Sequence, residues 1–193
     1  MLQQILKPYS DYNEEVLSED ISLELEQFLL NSSWKWGFKS LNGMKRSIPH
    51  WSIIFAGPEY KEEKYYDCES ELHGIVKKIW QCLKPKYFKD DVLVRCYANA
   101  VTSGIDQILH RDDLHPSSKT CIVYANKNWN VDWCGETIVW DREKRQISES
   151  YLPKSRSILI IPGSCWHGVR PVSHYCDEIR MSLMFKTRSK DVI

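Results

Sequence analysis

The 193-residue sequence has no run of apolar residues approaching the ~20 that a membrane-spanning helix requires, so no membrane partner is expected. It also has no net charge. Its 26 Lys and Arg balance 26 Asp and Glu, which removes the overall field that would draw a protein to nucleic acid, and a nucleic-acid partner is not expected. Lys35, Lys39, Lys45 and Arg46 form one loose basic cluster, read as a solvated face. No C-x-x-C pair occurs among the seven cysteines (68, 82, 96, 121, 134, 165 and 176). An odd, scattered set makes a poor disulfide framework and a poor zinc site, and it reads as reduced thiols in a cytoplasmic protein. Met1–Pro8 lacks the charged and apolar regions of an export signal. Internal repeats, low-complexity tracts and Pro/Ser-rich linkers are missing too, so the expectation is a single domain over residues 1–193.

What is present divides near residue 90. Ser18 to Leu30 places Ile21, Leu25, Phe28 and Leu29 at helical spacing behind the capping candidates Ser18 and Asp20. Leu72, Ile75, Val76, Ile79, Trp80 and Leu83 form the stripe of a second helix, with Asp67 as its capping candidate and Pro85 just beyond its end. Between them Trp34–Phe38 and Trp51–Ala56 read as strands. After Asp91 eight short β-rich runs follow: Val92–Ala98, Ile105–Leu109, Thr120–Asn126, Thr137–Trp140, Arg145–Leu152, Ser157–Ile161, Val169–Val172 and Ile179–Lys186. That density implies a mostly β protein, a barrel or sandwich with the helices packed outside it. Residues 1–90 are thus read as helical support and lid-forming segments, and 91–188 as the β-core.

The chemistry centres on His110-Arg111-Asp112 and on His167, fifty-five residues past Asp112. Two imidazoles and a carboxylate on one face of a metal leave the opposite positions open, which suits non-haem Fe(II). A surface-turn reading of His110 and Asp112, and a structural His167, are the alternatives. Strand alternation adds a third element. In Ile179–Phe185 the residues Ile179, Met181, Leu183 and Phe185 share an apolar face, leaving Arg180, Ser182 and Met184 on the other. If the apolar face meets the helices, Arg180 points into the barrel, where a buried guanidinium needs an anion. A bound carboxylate, with Ser182 nearby as a donor, would serve; an internal acid, or an Arg180 that reaches the rim, would serve as well. The same parity groups Arg95, Tyr97 and Asn99, and separately Thr120, Ile122 and Tyr124, as faces able to line a polar cavity, though either tyrosine could be a core residue.

Arg95-Cys96-Tyr97, His110-Arg111-Asp112, Thr120 to Trp129, Gly135-Glu136-Thr137, Pro153, His167-Gly168-Val169 and Arg180 together resemble the prolyl-4-hydroxylase-like branch of the Fe(II)- and 2-oxoglutarate-dependent oxygenases. The resemblance spans about residues 91–188. It implies a double-stranded β-helix, the jelly-roll or cupin-like core, with N-terminal helices packed on one sheet. It further implies iron held by His110, Asp112 and His167, and the far carboxylate of 2-oxoglutarate held by Arg180. Tyr97, Tyr124, Ser182, Thr120, Ile122, Thr137 and Val169 match cosubstrate-pocket positions. The implied reaction consumes O2, decarboxylates 2-oxoglutarate to succinate and hydroxylates an unactivated C–H bond of a prolyl peptide, an amino acid or another small metabolite. Because the acid of the triad is present as Asp112, hydroxylation is favoured over halogenation. The thirteen residues from His167 to Arg180 exceed the usual spacing and imply a small bulge or a longer turn.

Candidate substrate contacts are Arg95, Arg170, Trp140 and His50, with Trp133 and Trp166 at the mouth and Trp51 and Gly57–Tyr66 as lid segments. Two other classes stay open: a cupin-like metalloprotein acting without 2-oxoglutarate, and a catalytically silent jelly-roll binding protein.

Overall fold

The computed structural model describes residues 9–39, 48–59, 65–105 and 107–192. Of the segments singled out above, Met1–Pro8, Lys45, Arg46 and residues 60–64 of the lid loop lie outside these.

Among the described residues two α-helices and ten strands follow in chain order: β1 (Asp11–Asn13), α1 (Glu19–Leu30), β2 (Lys35–Phe38), β3 (His50–Ala56), α2 (Gly74–Tyr87), β4 (Asp91–Val101), β5 (Lys119–Tyr124), β6 (Thr137–Trp140), β7 (Ile147–Tyr151), β8 (Ile158–Pro162), β9 (His167–Val169) and β10 (Arg180–Ser189). Among the described residues the strands form two antiparallel sheets. One has seven strands in the order β1-β8-β5-β10-β4-β3-β2, the other three in the order β7-β6-β9.

Helix α1 starts where the sequence says it should. Ser18 is extended, its Oγ accepts the Ile21 N–H at 3.3 Å, and Glu19 and Asp20 place negative charge at the positive end of the helix dipole. Helix α2 differs from expectation at both ends. Asp67 accepts the Glu69 N–H of a short 3-10 turn, and α2 begins after His73 without a side-chain cap. Pro85 lies inside the last turn, where it removes one N–H but leaves room for the chain to continue until the Phe88 N–H reaches the Lys84 carbonyl. The apolar stripe is as expected: Ile75, Val76, Ile79, Trp80 and Leu83 are buried.

Strand β10 organises the core because it is buried on both faces and paired on both sides, to β4 and β5. Met181, Leu183 and Phe185 join one apolar cluster with Leu25, Leu29, Ile79 and Trp80 of the helices; the Trp80 and Phe185 rings stack at 5.3 Å. Met184 points the other way, into a second cluster with Tyr97, Ile122, Tyr124 and Val139 between the sheets. Ile179 is 40% exposed and contributes to neither cluster. Of the expected strand Ile105–Leu109, Asp106 lies outside the described residues, and residues 107–109 run irregularly to an isolated bridge at His110.

Candidate metal centre and adjoining anion pocket

His110 and His167 come together through the backbone before any side chain is considered. Their peptide groups exchange two hydrogen bonds of 2.9 Å, fixing the rings 4.5 Å apart. Asp112 is set by its own N–H, which donates to the Gly163 carbonyl in the turn after β8. The result is one buried cluster in which a ligand atom from each of His110, Asp112 and His167 lies within 4.8 Å of the others.

The second layer of contacts fits a metal. Nδ1 of His110 lies 2.9 Å from the Ile108 carbonyl, and Nδ1 of His167 lies 3.0 Å from the Cys165 carbonyl. A carbonyl only accepts, so each Nδ1 carries the proton and each Nε2 presents its lone pair inward. Those two Nε2 atoms lie 3.7 and 3.5 Å from the Asp112 oxygens. Neutral imidazoles with inward Nε2 and an ionised carboxylate are the donor set that an N/O-liganded divalent ion takes.

Both Asp112 oxygens have further partners. Thr120 Oγ1 donates to Oδ2 at 2.7 Å, and the Lys186 ammonium donates to Oδ1 at 2.6 Å. Lys186 is 5% exposed. Burial opposes its charge, but Asp112 and Tyr97 outweigh that and push its pKa above the ordinary lysine value. Lys186 was missing from the sequence-derived site, although the alternation that puts Arg180, Ser182 and Met184 inward reaches it one step later.

Arg180 points into the barrel and is 2% exposed. Its Nε donates to the Gly135 carbonyl at 2.7 Å and its Nη2 to Thr137 Oγ1 at 3.1 Å, and Tyr124 donates to the same hydroxyl at 2.9 Å. Gly135 has φ +74°, and a Cβ there would come within 3.2 Å of Arg180, Trp129 and Val172, so this carbonyl can approach only because the residue is glycine. Among the described residues no carboxylate lies within ion-pair distance of Arg180. Burial lowers its pKa, while Tyr124 and the more distant Glu136 favour the charge. Burial also pushes Tyr124 up to about 12, so the phenol stays a donor at neutral pH.

One cavity joins the two parts. Its lining includes the triad, Arg180, Tyr97, Thr120, Ile122, Thr137, Val169 and Ser182, together with Phe38, Asn99 and Gln107. Tyr124 lies behind Thr137. The candidate substrate contacts do not all gather there. Arg170 is exposed: an odd number of residues from His167, it faces away from the site. Trp140 is half-buried and outside the lining; Trp166 lies between the Arg111 and Lys144 cations, and Trp133 packs against Trp129. His50 is buried against Phe38, and burial pulls its pKa down to about 4, with partial relief from Asn99. Arg95 lies beneath Phe38 and Tyr97. The long turn expected after His167 is residues 170–179, tied to the barrel by an isolated bridge between Val172 and Cys134.

A seven-stranded and a three-stranded antiparallel sheet enclosing a His-Asp-His cluster define a double-stranded β-helix, and the fold is that of the Fe(II)- and 2-oxoglutarate-dependent oxygenases. Solved structures with this fold include a prolyl-4-hydroxylase from Pseudomonas putida, at TM-score 0.63 and 12% identity over 95% of this chain and 94% of that one. A prolyl hydroxylase from Trichoplax adhaerens, in complex with a hypoxia inducible factor peptide fragment, matches at TM-score 0.66 and 15% identity over 96% and 86%. HygX from Streptomyces hygroscopicus, with nickel, 2-oxoglutarate and hygromycin B bound, matches at TM-score 0.63 and 12% identity over 94% and 83%. No family model matches the sequence, and no curated protein does.

Proposed function

We propose that this protein is an Fe(II)- and 2-oxoglutarate-dependent dioxygenase that hydroxylates an unactivated C–H bond of a prolyl peptide, an amino acid or another small metabolite. The observation that carries the reading is a single cavity holding both a facial His-Asp-His set and, in Arg180, a buried guanidinium that has no carboxylate beside it among the described residues. A dicarboxylate that binds a metal at one end and an arginine at the other completes both. The fold's solved examples include one with nickel and 2-oxoglutarate bound, which supports the same pairing.

In this reading His110, Asp112 and His167 hold the iron, which supplies the redox centre for coupling O2 to the decarboxylation of 2-oxoglutarate to succinate. Arg180 would receive the far carboxylate, and Thr137, itself held by the Tyr124 hydroxyl, fixes the guanidinium. Thr120 and Lys186, each donating to one Asp112 oxygen, hold the carboxylate in one orientation. Ile122, Val169 and Met184 exclude water from the cavity. Residues 1–90 support the barrel and line its mouth, the whole chain acts as one domain, and seven cysteines without a disulfide suit the cytoplasm.

The test is anaerobic loading with Mn(II) and 2-oxoglutarate, followed by succinate release from the Fe(II) form with prolyl peptides, amino acids and other small metabolites. Arg180→Ala is expected to weaken 2-oxoglutarate binding by at least about a hundredfold, since two charge-assisted bonds of about 1.5–3 kcal/mol each disappear. Turnover that survives Arg180→Ala without 2-oxoglutarate points instead to a cupin-like enzyme. Failure to bind one metal per chain points to a silent binding protein.

A further inference from the structure

The barrel interior holds more positive charge than the proposed cofactors use. Arg95 of β4 and Lys186 of β10 are register partners, so both side chains project from the same inner face. Arg95 is 1% exposed, and its guanidinium lies 4.7 Å from the Tyr97 ring centroid and 5.4 Å from that of Phe38. One Nη donates to the Glu59 carbonyl at 2.6 Å, while Nε is buried with no partner. Among the described residues no carboxylate lies within ion-pair distance of Arg95. Lys186 sits 5.5 Å from the same Tyr97 ring, and its carboxylate partner is Asp112.

Aromatic faces attract a cation, but they accept nothing from the N–H groups in the guanidinium plane. With the Glu59 carbonyl accepting from one Nη and Nε left unpaired, the buried Arg95 guanidinium stays under-compensated, and an anion in its plane would relieve it. When Asp112 serves a divalent ion, as the proposed function requires, its charge is shared and the excess around Arg95 and Lys186 grows. The location suits a substrate more than a cosubstrate. Arg180 already lies at the other end of β10, six residues from Lys186. Phe38, which covers Arg95, lines the triad cavity and also a second groove of about 410 Å³, walled by Lys35, Trp36, Ile54, Gly57 and Glu59.

We propose that the substrate carries a carboxylate received by Arg95 with Lys186 beside it. The substrate is then a free amino acid or another small carboxylic acid rather than an internal residue of a peptide. This rests on the oxygenase reading and narrows its substrate class.

The test titrates the Mn(II)- and 2-oxoglutarate-loaded protein by anaerobic calorimetry. The probes are the twenty free amino acids and a set of short monocarboxylic acids, each beside its carboxamide, which keeps the shape and deletes the charge. At least one acid is expected to bind about ten- to a hundredfold more tightly than its amide. Arg95→Met is expected to bring that ratio within about twofold, and Arg95→Lys to retain part of it. Arg95→Gln provides a second neutral variant should Arg95→Met not fold, with circular dichroism checking each. Equal binding of acid and amide, binding of none of the acids, or an undiminished ratio in a folded Arg95→Met or Arg95→Gln protein overturns the proposal. Failure of the wild-type protein to take up Mn(II) and 2-oxoglutarate is read in the loading step, before any acid is added, and sinks the oxygenase reading instead.

Discussion

Lys186→Met tests whether a buried ammonium and a metal ion compensate the same carboxylate. Lys186 Nζ lies 2.6 Å from Asp112 Oδ1, and both residues are under 9% exposed. Removing one partner of such a pair costs about 3–5 kcal/mol, because the other charge stays buried. Thr120 keeps its bond to Oδ2 and methionine preserves the apolar stem, which places the expected loss near the lower end, about 3 kcal/mol. At about 2–4 °C per kcal/mol for a chain of this length, the metal-free variant melts ~6–12 °C below wild type. A divalent ion on Asp112 replaces the missing charge, so the gap narrows in saturating Mn(II) and the variant binds the metal more tightly. Thermal unfolding of chelator-treated protein, followed by circular dichroism with and without Mn(II), reads both effects. A metal-free loss under about 1 kcal/mol, or the same gap in both conditions, refutes the shared-carboxylate argument.

His50 makes stability depend on pH. Its folded pKa is about 4 because burial disfavours the cation, whereas the unfolded imidazole titrates near 6.5. The unfolded state therefore binds more protons between those values, and the contribution, complete above about pH 6.5, is lost as pH falls toward 4. At pH 5 the loss is about 2 kcal/mol, and His50→Leu removes it. Urea unfolding at pH 7 and pH 5 measures the difference, and parallel declines in the two proteins contradict it. Gly57→Ala should destabilise by at least about 1–3 kcal/mol, since Gly57 has φ +79° and a Cβ would meet the Val94 carbonyl at 2.6 Å; an unchanged denaturation midpoint would count against this. Trp80→Ala, which removes a fully buried ring stacked on Phe88 and Phe185, should cost about 3–5 kcal/mol in the same assay, and a loss below about 1 kcal/mol would mean that the ring is not part of the core.

What could be read from the sequence follows from how strongly each feature constrains its residues. In strand β10 one face is wholly apolar, with Met181, Leu183 and Phe185 packed against the helices, so the alternate position Arg180 was visible as a cation on the other, inner face. Lys186 obeys the same alternation, yet a lysine near a strand end ordinarily reaches solvent, and only tertiary packing reveals that this one meets Asp112 instead. Strand β1 has three residues and no hydrophobic period, and it exists because β8 offers it an edge, with Tyr12 opposite Leu159. The β-branched run before His110 looked like a strand, but its end is committed to the two-bond bridge that sets His110 against His167. Nearness in sequence to a ligand misled for Arg170, because direction depends on parity, which three residues reverse.

The same parity explains why Arg180 and Lys186 are rigidly related. Arg180 and Lys186 are six residues apart on one inner face of a strand paired on both sides, which separates their backbones by roughly 20 Å. Lys186 is held in both ladders, opposite Arg95 and Thr120, and Arg180 in the ladder to β4, opposite Val101. In the oxygenase reading proposed above, Arg180 marks the dicarboxylate end of this strand, and Lys186, with Arg95 opposite it on β4, marks the end proposed for the substrate anion, so the sheet fixes the spacing between the two.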